Sequence, residues 1–351
     1  MDRINKKKIV HVLKSSIYSG AENVALTIIK GLQEEYEFVY IATEGPIREK
    51  LEKEHVPFRL LSEFKYENLK KVLEEEKPDI IHAHDFSATV MCALCGKYRI
   101  ISHLHYDPPW SRRWNFKTAA YVCMGRRIAR ILAVSGEAYH NLIFSDMFQA
   151  KMSIIGNPID KERILDMGGK EQYPIYDLLF VGRLVEQKAP QMFIEIVGRL
   201  KQSGRSIKCA MVGTGDLEKM CRELIEQKEL QSSIELLGFQ ENPYLYMRMS
   251  KLLCMTSRWE GYGLVAAEAN ILGIPVLSTK TGGVTELFGE KAEELCNGSD
   301  DFFEKIQKLL SDSELYQIWK MRALKRAKEF TGPKEYAEKL SLIYKKEMMN
   351  Q

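Results

Sequence analysis

No uncharged hydrophobic run in this chain approaches the roughly 18 residues that a membrane-spanning helix needs. Lys6, Lys7 and Lys8 lead only into the short stretch IVHVL, which is no secretory leader. No membrane-spanning helix is expected, and residence in the cytoplasm is the expectation. The seven cysteines are odd in number and scattered, which suits a reducing compartment and argues against a disulfide framework. Cys92 and Cys95 form a lone C-x-x-C with no second pair, so they read as small buried side chains. The sequence has no Asp-x-Asp pair to hold a divalent cation, no internal repeat and no low-complexity tract. A surplus of one charge is also missing. With 51 Lys and Arg against 48 Asp and Glu, the net charge is +3 and carries no nucleic-acid footprint. VGTGDLE starts like a dinucleotide fingerprint, but Glu218 stands where the third glycine belongs and the strand is not the first of its domain. A nicotinamide dehydrogenase is therefore disfavoured, and a structural turn is the reading for Gly213 and Gly215.

What is present is the composition of a globular α/β protein. At 351 residues, with 45% hydrophobic and 28% charged side chains, the chain can build two domains with separate cores. Apolar strand runs alternate with helical patterns. KIVHVL, EFVYIAT, DIIHAH, RIISHLH, RILAVS and MSIIG fall in the first half, and DLLFVG, IKCAMVG, SIELLG, KLLCMTS and IPVLS in the second. This alternation predicts two doubly wound, Rossmann-like domains. The glycine-rich stretch DMGGKEQYP reads as the linker, giving an N-terminal domain over 1–168 and a C-terminal domain over 169–334.

The segment SRWEGYGLVAAEA is the most informative. The apolar run KLLCMTS before it reads as a buried parallel strand and GLVAAEANILG as a helix ended by Gly273, so the motif occupies a strand-to-helix turn. Gly261 and Gly263 allow close backbone approach to a ligand, and amides at the helix start favour an anion. Glu260 sits at the mouth of the turn. Glu268, five residues into the helix, lies roughly 7 Å further along. Two acceptors so separated can hold hydroxyls at the two ends of one elongated ligand with phosphate between them. The segment DLLFVGRLVEQKAPQMFIEIVGRL supplies the matching cations: Arg183 and Lys188 fall in the turn after a parallel strand, suited to a diphosphate whose charge rises as it leaves.

VGRLVEQK, LGFQENPY, SRWEGYGLVAAEA and GIPVLSTKTGGVTEL, in this order and spacing, resemble the nucleotide-sugar half of the family 4 retaining glycosyltransferases. In the first half, HVLKSSIYSGAENVALTIIKGL, DIIHAHD, ISHLHYD, ILAVSGEA and IIGNPID fit the same family in order. The resemblance implies the GT-B architecture, with two Rossmann-like domains facing across a cleft and a C-terminal helix, about 335–351, that crosses back to the first domain. It implies transfer of a sugar from a nucleotide diphosphate sugar, expected to be a UDP-sugar, to a glycan hydroxyl on a lipid carrier, in surface polysaccharide biosynthesis. The anomeric configuration is retained, and neither metal nor other cofactor takes part. By the same resemblance Arg183 and Lys188 serve the leaving diphosphate and Glu268 the ribose. Glu260 and the backbone of Gly261, Tyr262, Gly263 and Leu264 hold the donor sugar, with Glu260 not a covalent nucleophile. His105, Ser19 and Gly20 approach the sugar from the first domain. Ser19 replaces a glycine common in the family.

Two features stand outside that core. His82, His84 and Asp85 in HAHD, with His103 and His105 in HLH, put paired imidazoles at two strand ends. A metal hydrolase could use them, but no further ligand in the sequence completes a set. From Lys97 to Arg130, eight basic residues (Lys97, Arg99, Arg112, Arg113, Lys117, Arg126, Arg127 and Arg130) face one acid, Asp107, with Trp110, Trp114 and Phe116 interleaved. Such a stretch can rest on the anionic inner face of a membrane or be ordinary solvated surface. Two other activities stay open from sequence: a nucleotide-sugar epimerase or hydrolase of the same architecture, and a catalytically silent sugar-nucleotide-binding subunit.

Overall fold

The computed structural model describes residues 6–170, 174–289 and 291–349. Two compact units emerge, one of residues 1–158 with 331–351 and the other of residues 159–330.

The first unit is built on seven parallel strands, β1 (Lys8–Val12), β2 (Glu37–Thr43), β3 (Phe58–Leu61), β4 (Ile80–His84), β5 (Ile100–Leu104), β6 (Ile128–Ala133) and β7 (Met152–Ile154). Their order is β3-β2-β1-β4-β5-β6-β7, so the winding reverses between β1 and β4. β4 is buried along its whole length, as expected of a parallel strand covered on both faces. One face packs Val10, Ile81 and Ala83 against Leu69, Leu73 and Ala88. The other packs Ile9, Tyr40 and Ile101 against the helices Gly20–Leu32 and Pro333–Met349.

The helix Pro333–Met349 seats Tyr336, Leu340 and Tyr344 in that core. Gly31 permits its close approach, since a Cβ there would stand 2.6 Å from Ala337 Cβ. At its far end the buried Glu347 accepts from Arg99 Nη2 at 2.6 Å and Arg130 Nη2 at 2.9 Å.

The second unit has six parallel strands, β8 (Tyr176–Val181), β9 (Cys209–Val212), β10 (Ile234–Gly238), β11 (Ser250–Met255), β12 (Val276–Thr279) and β13 (Leu295–Cys296), in the order β10-β9-β8-β11-β12-β13. The reversal here lies between β8 and β11. The helix Pro190–Gln202 begins with its proline at the first position, where a missing N–H costs nothing. It buries Phe193, Ile196 and Leu200, each contributing about 2 kcal/mol of apolar burial.

Two strands escape the sequence pattern. β3 carries Arg59 at its centre, and β13 is two residues long at the sheet edge. The junction also differs from the expected 168/169, because the helix Lys161–Gly168 belongs to the second unit, where Ile159 and Ile164 join Leu253 and Ile271 in one core. Of the expected linker 166–174, residues 171–173 lie outside the described residues.

Candidate active site

In open parallel sheets, ligands bind beyond the carboxyl ends of the strands where the winding reverses. In the second unit that point lies between β8 and β11, and the turns after these two strands carry the predicted donor residues. Lys188 and Glu260 are ion-paired there, one from each turn, with only 16% and 8% of their side chains exposed. Ser257 Oγ donates to the same Glu260 oxygen at 2.6 Å. The turns are laced together further. Gln187 Nε2 donates to the Trp259 carbonyl at 3.1 Å, Arg258 N to the Gln187 carbonyl at 2.7 Å, and Thr256 Oγ1 to the Lys188 carbonyl at 3.1 Å. Ala189 closes the β8 turn at φ 43°, a left-handed conformation that costs an alanine on the order of 1 kcal/mol. Arg183 is exposed and its Nη2 donates to Gln187 Oε1 at 3.3 Å.

Gly263, at φ +85°, starts the helix Leu264–Ile271, and a Cβ there would lie 2.7 Å from Val284 Cγ2. Gly283 is tighter: its Cβ would stand 2.2 Å from the Gly261 carbonyl oxygen. Two backbone segments thus touch directly around Gly261. Tyr262 is half-buried beside them. Glu268 sits in the second turn of the helix and accepts from Tyr244 Oη at 3.2 Å. Burial raises its carboxyl to about 7 against the pull of Tyr244, Arg163 and Lys188. Gly213 and Gly215 are packing glycines, since Cβ atoms there would meet the Gly182 and Leu184 carbonyl oxygens at 2.0 and 2.5 Å.

In the first unit a cavity of about 710 Å³ opens beyond β1, β2 and β4, lined among others by Leu13, Ser16, Glu22, His84, Asp85 and Tyr106. Ser19 caps the helix Gly20–Leu32 with its Oγ donating to Glu22 Oε2 at 2.5 Å, and its N–H does the same at 3.1 Å. The serine in place of the family's glycine therefore holds a buried carboxylate at the cavity wall. Ser19, Gly20 and His105 are not themselves among the lining residues, although Ala21, Glu22 and Tyr106 beside them are. Asp85 starts the next helix at φ 67°, and its Oδ1 accepts the His105 N–H at 2.9 Å. Burial raises Asp85 to about 7.

The imidazoles overturn one sequence expectation. His11 of β1, opposite His82 in register, joins His82, His84, His103 and His105 on one face of the sheet. Two triads, His11 with His82 and His84, and His84 with His103 and His105, bring ring nitrogens within 4.8 Å of one another and could hold a metal. HAHD and HLH therefore do find a further ligand. The missing signal was the lone alternation of His11 with Ile9 on β1 and with Leu13 just after it. Glu22 could have been read from the capping-box spacing after Ser19, whereas nothing in the sequence marks Tyr244 or Ser257.

The basic stretch divides in two. Arg112 is spent on Asp107, donating from Nη2 at 2.7 Å, while Trp114 and Phe116 are exposed beside it beyond the carboxyl end of β5. The helix Phe116–Met124 then carries the chain to the opposite end of the sheet. There Lys97, Arg99, Arg126, Arg127 and Lys151 surround a second cavity of about 510 Å³. Of these, Arg99 binds Glu347, and Arg127 caps the carbonyl of Ala93.

Two doubly wound domains, the second with a charged turn at its strand reversal, make up the GT-B fold of glycosyltransferases. Residues 170–326 match the family model described as Glycosyl transferases group 1, and residues 18–163 match Glycosyltransferase Family 4. The chain belongs to this glycosyltransferase family. A capsular polysaccharide biosynthesis glycosyltransferase, CapH of Staphylococcus aureus, is 24% identical over 87% of this chain and 91% of its own. N-acetylgalactosamine-N,N'-diacetylbacillosaminyl-diphospho-undecaprenol 4-alpha-N-acetylgalactosaminyltransferase of Campylobacter jejuni is 31% identical over 51% of this chain and 50% of its own. Among solved structures, Anabaena HepE in complex with UDP and glucose superposes with a TM-score of 0.86 at 19% identity, covering 97% of this chain and all of the other. Among the described residues, no helix is long and apolar enough to cross a membrane.

Proposed function

We propose that this enzyme moves a sugar from a UDP-sugar to a hydroxyl of a lipid-linked glycan in surface polysaccharide biosynthesis, with retention of anomeric configuration. The observation that carries the reading is the Lys188–Glu260 pair spanning the strand reversal of the second unit, with Glu268 one turn down the following helix. Lys188 and Arg183 neutralise the leaving diphosphate, whose charge grows as the bond breaks. Glu268 accepts the ribose hydroxyls. Glu260, fixed by Lys188 and Ser257, accepts hydroxyls of the donor sugar beside the backbone of Gly261, Tyr262, Gly263 and Leu264. Ser19, Gly20 and His105 serve sugar recognition in the first unit, where the cavity bearing Glu22 and Asp85 would admit the acceptor.

UDP and glucose in HepE, and the polysaccharide and lipid-diphosphate relatives, support the choice of donor and acceptor class. The leaving phosphate accepts the acceptor's proton, so neither a covalent glycosyl-enzyme nor a metal ion is needed. A peripheral contact with anionic membrane narrows to Arg113, Trp114, Phe116 and Lys117.

The deciding experiment is calorimetry against a panel of nucleotide sugars, followed by incubation of the best donor with lipid-linked glycans and NMR of the product. A glycan carrying the donor's own anomeric configuration is expected. Free sugar or an epimer formed without acceptor would favour the hydrolase or epimerase reading. Donor binding with turnover only on adding a second protein would favour the silent subunit.

A further inference from the structure

Three of the five clustered imidazoles form one hydrogen-bonded line. His11 Nδ1 lies 2.9 Å from His84 Nε2, and His84 Nδ1 lies 2.8 Å from His105 Nε2. The His84 and His105 rings are within 8° of parallel with centroids 5.0 Å apart, the spacing of rings meeting nitrogen to nitrogen in one plane. Tyr344, His82 and His103 make a second line, with contacts of 2.6 and 3.1 Å. It stacks on the first, with the His82 and His84 rings 4.7 Å apart. Burial pushes all five imidazoles well below the ordinary histidine range, so each ring is neutral at pH 7.

A neutral imidazole has one N–H and one lone pair. A hydrogen bond between two such rings needs one of each, so choosing the tautomer of one ring fixes the other two. Only two arrangements exist for His11–His84–His105, and they differ at the line's two ends. Those ends are His11 Nε2 and His105 Nδ1, both buried and without a partner. In one arrangement the spare proton sits on His11 Nε2, in the other on His105 Nδ1. Buried N–H groups without acceptors are rarer, and hence costlier, than lone pairs without donors. His11 is fully buried, with the Phe38 ring 5.6 Å from its own, whereas His105, its Nδ1 also buried, follows β5 next to Tyr106 of the cavity wall and is the end of the line nearer a ligand site. The spare proton therefore belongs on His105.

We propose that His105 is held as the Nδ1–H tautomer, a neutral donor to a sugar oxygen and not a base, and that His11 and His84 are the positioning residues that hold it so. The role for His105 rests on the transferase reading; the tautomer does not. A donor at this position leaves proton removal from the acceptor hydroxyl to the departing phosphate. The carboxyls near the line are Asp85, bonded to the His105 backbone, and Glu22, bonded to Ser19. A metal bound by either triad would take nitrogens that these hydrogen bonds occupy, so metal binding and this arrangement exclude each other.

The test uses the full chain labelled with 15N-histidine. Only seven histidines contribute signals, and two-bond 1H–15N spectra report which ring nitrogen carries the proton. At pH 7.5, without donor or acceptor, His11, His84 and His105 should all show Nδ1–H. In His11→Phe, which cannot donate to His84, the His105 signals should move to a tautomer mixture and kcat should fall on the order of tenfold, the worth of one hydrogen bond. In His11→Asn, whose amide nitrogen stands where Nδ1 was, both should recover. An Nε2–H form or an imidazolium at His105 in the parent, one equivalent of zinc by elemental analysis, or unchanged His105 signals in His11→Phe would overturn the proposal. If His11→Phe does not fold, the parent spectrum and zinc content decide alone. Because that spectrum needs no substrate, its failure is distinct from a failure to transfer sugar.

Discussion

Lys188 and Glu260 stand 72 residues apart in the chain and form one buried ion pair across the turns after β8 and β11. The pair fixes the two turns in mutual register, and under the proposed function it sets Lys188 for the diphosphate and Glu260 for the donor sugar before any ligand arrives. Removing one partner leaves a charge that burial does not tolerate. Lys188→Met should destabilise the second unit by about 3 kcal/mol, and Lys188→Met with Glu260→Gln should lose clearly less than the sum of the singles. Urea denaturation of the four proteins closes this cycle. Strict additivity would mean that the two side chains do not act together.

The ribose role of Glu268 predicts a pH dependence. Its carboxyl titrates at about 7 in the free protein, and the ionised form is the better hydroxyl acceptor. Affinity for free UDP should therefore strengthen as pH rises through 7 and level off roughly one unit higher. Glu268→Gln should cost about 1.5 to 3 kcal/mol of UDP binding and flatten the profile. Arg183→Ala should instead lower kcat with little change in UDP affinity. Equal UDP binding by Glu268→Gln and the parent would remove the ribose assignment.

Gly283 has no room for a methyl group, because the obstacle is the Gly261 carbonyl and not a pliable side chain. Gly283→Ala should shift the turn proposed to cradle the donor, lowering stability by about 2 to 3 kcal/mol and weakening UDP binding more than tenfold. Wild-type affinity in a folded variant would show that this backbone contact does not shape the site.

The five buried imidazoles make the first unit acid-sensitive. Their folded-state values lie far below the ordinary 6.5, reaching about 3 for His11 and His105. The unfolded chain therefore binds more protons, and stability present above pH 6.5 is lost as pH falls toward 3. Asp85 acts in reverse, since its raised value favours the folded state as pH falls from 7 to 3.8. Five lowered imidazoles against one raised carboxyl leave the balance with the histidines, so stability should fall as pH drops below 6.5. Thermal melts from pH 7.5 to 4.5 test this. His103→Phe should soften the slope, and a parent melting temperature that is flat over this range would refute the account.

The membrane reading now concerns one end of the first unit. Trp114→Ser with Phe116→Ser should reduce sedimentation with anionic vesicles at low salt. Arg126→Glu with Arg127→Glu, at the opposite end of the sheet, should not. Loss through the second pair alone would move the contact to the other end.

The placement of these four residues was legible because their pattern is local: Glu260 lies on the turn and Glu268 on the helix after β11, and Arg183 and Lys188 on the turn after β8, while their donor roles belong to the proposed function. The imidazole line was not legible, because His11 meets His84 only through the pairing of β1 with β4, which no local pattern encodes. The basic stretch misled for the converse reason. Residues close in sequence from Arg112 to Arg130 are carried to opposite ends of the sheet by the helix Phe116–Met124. β3 and β13 were missed because edge strands need neither length nor an unbroken apolar run.

The helix Pro333–Met349 completes the core of the first unit, although residues 159–330 are spent on the second before it begins. During synthesis the usual order is therefore inverted. The contiguous second unit can finish folding while the first, begun earlier, still waits on the ribosome for Tyr336, Leu340 and Tyr344. A nascent chain stalled near residue 330 should carry a protease-resistant second unit and an unfinished first one, with Ile28, Leu32 and Tyr36 open to chaperones until the final segment emerges.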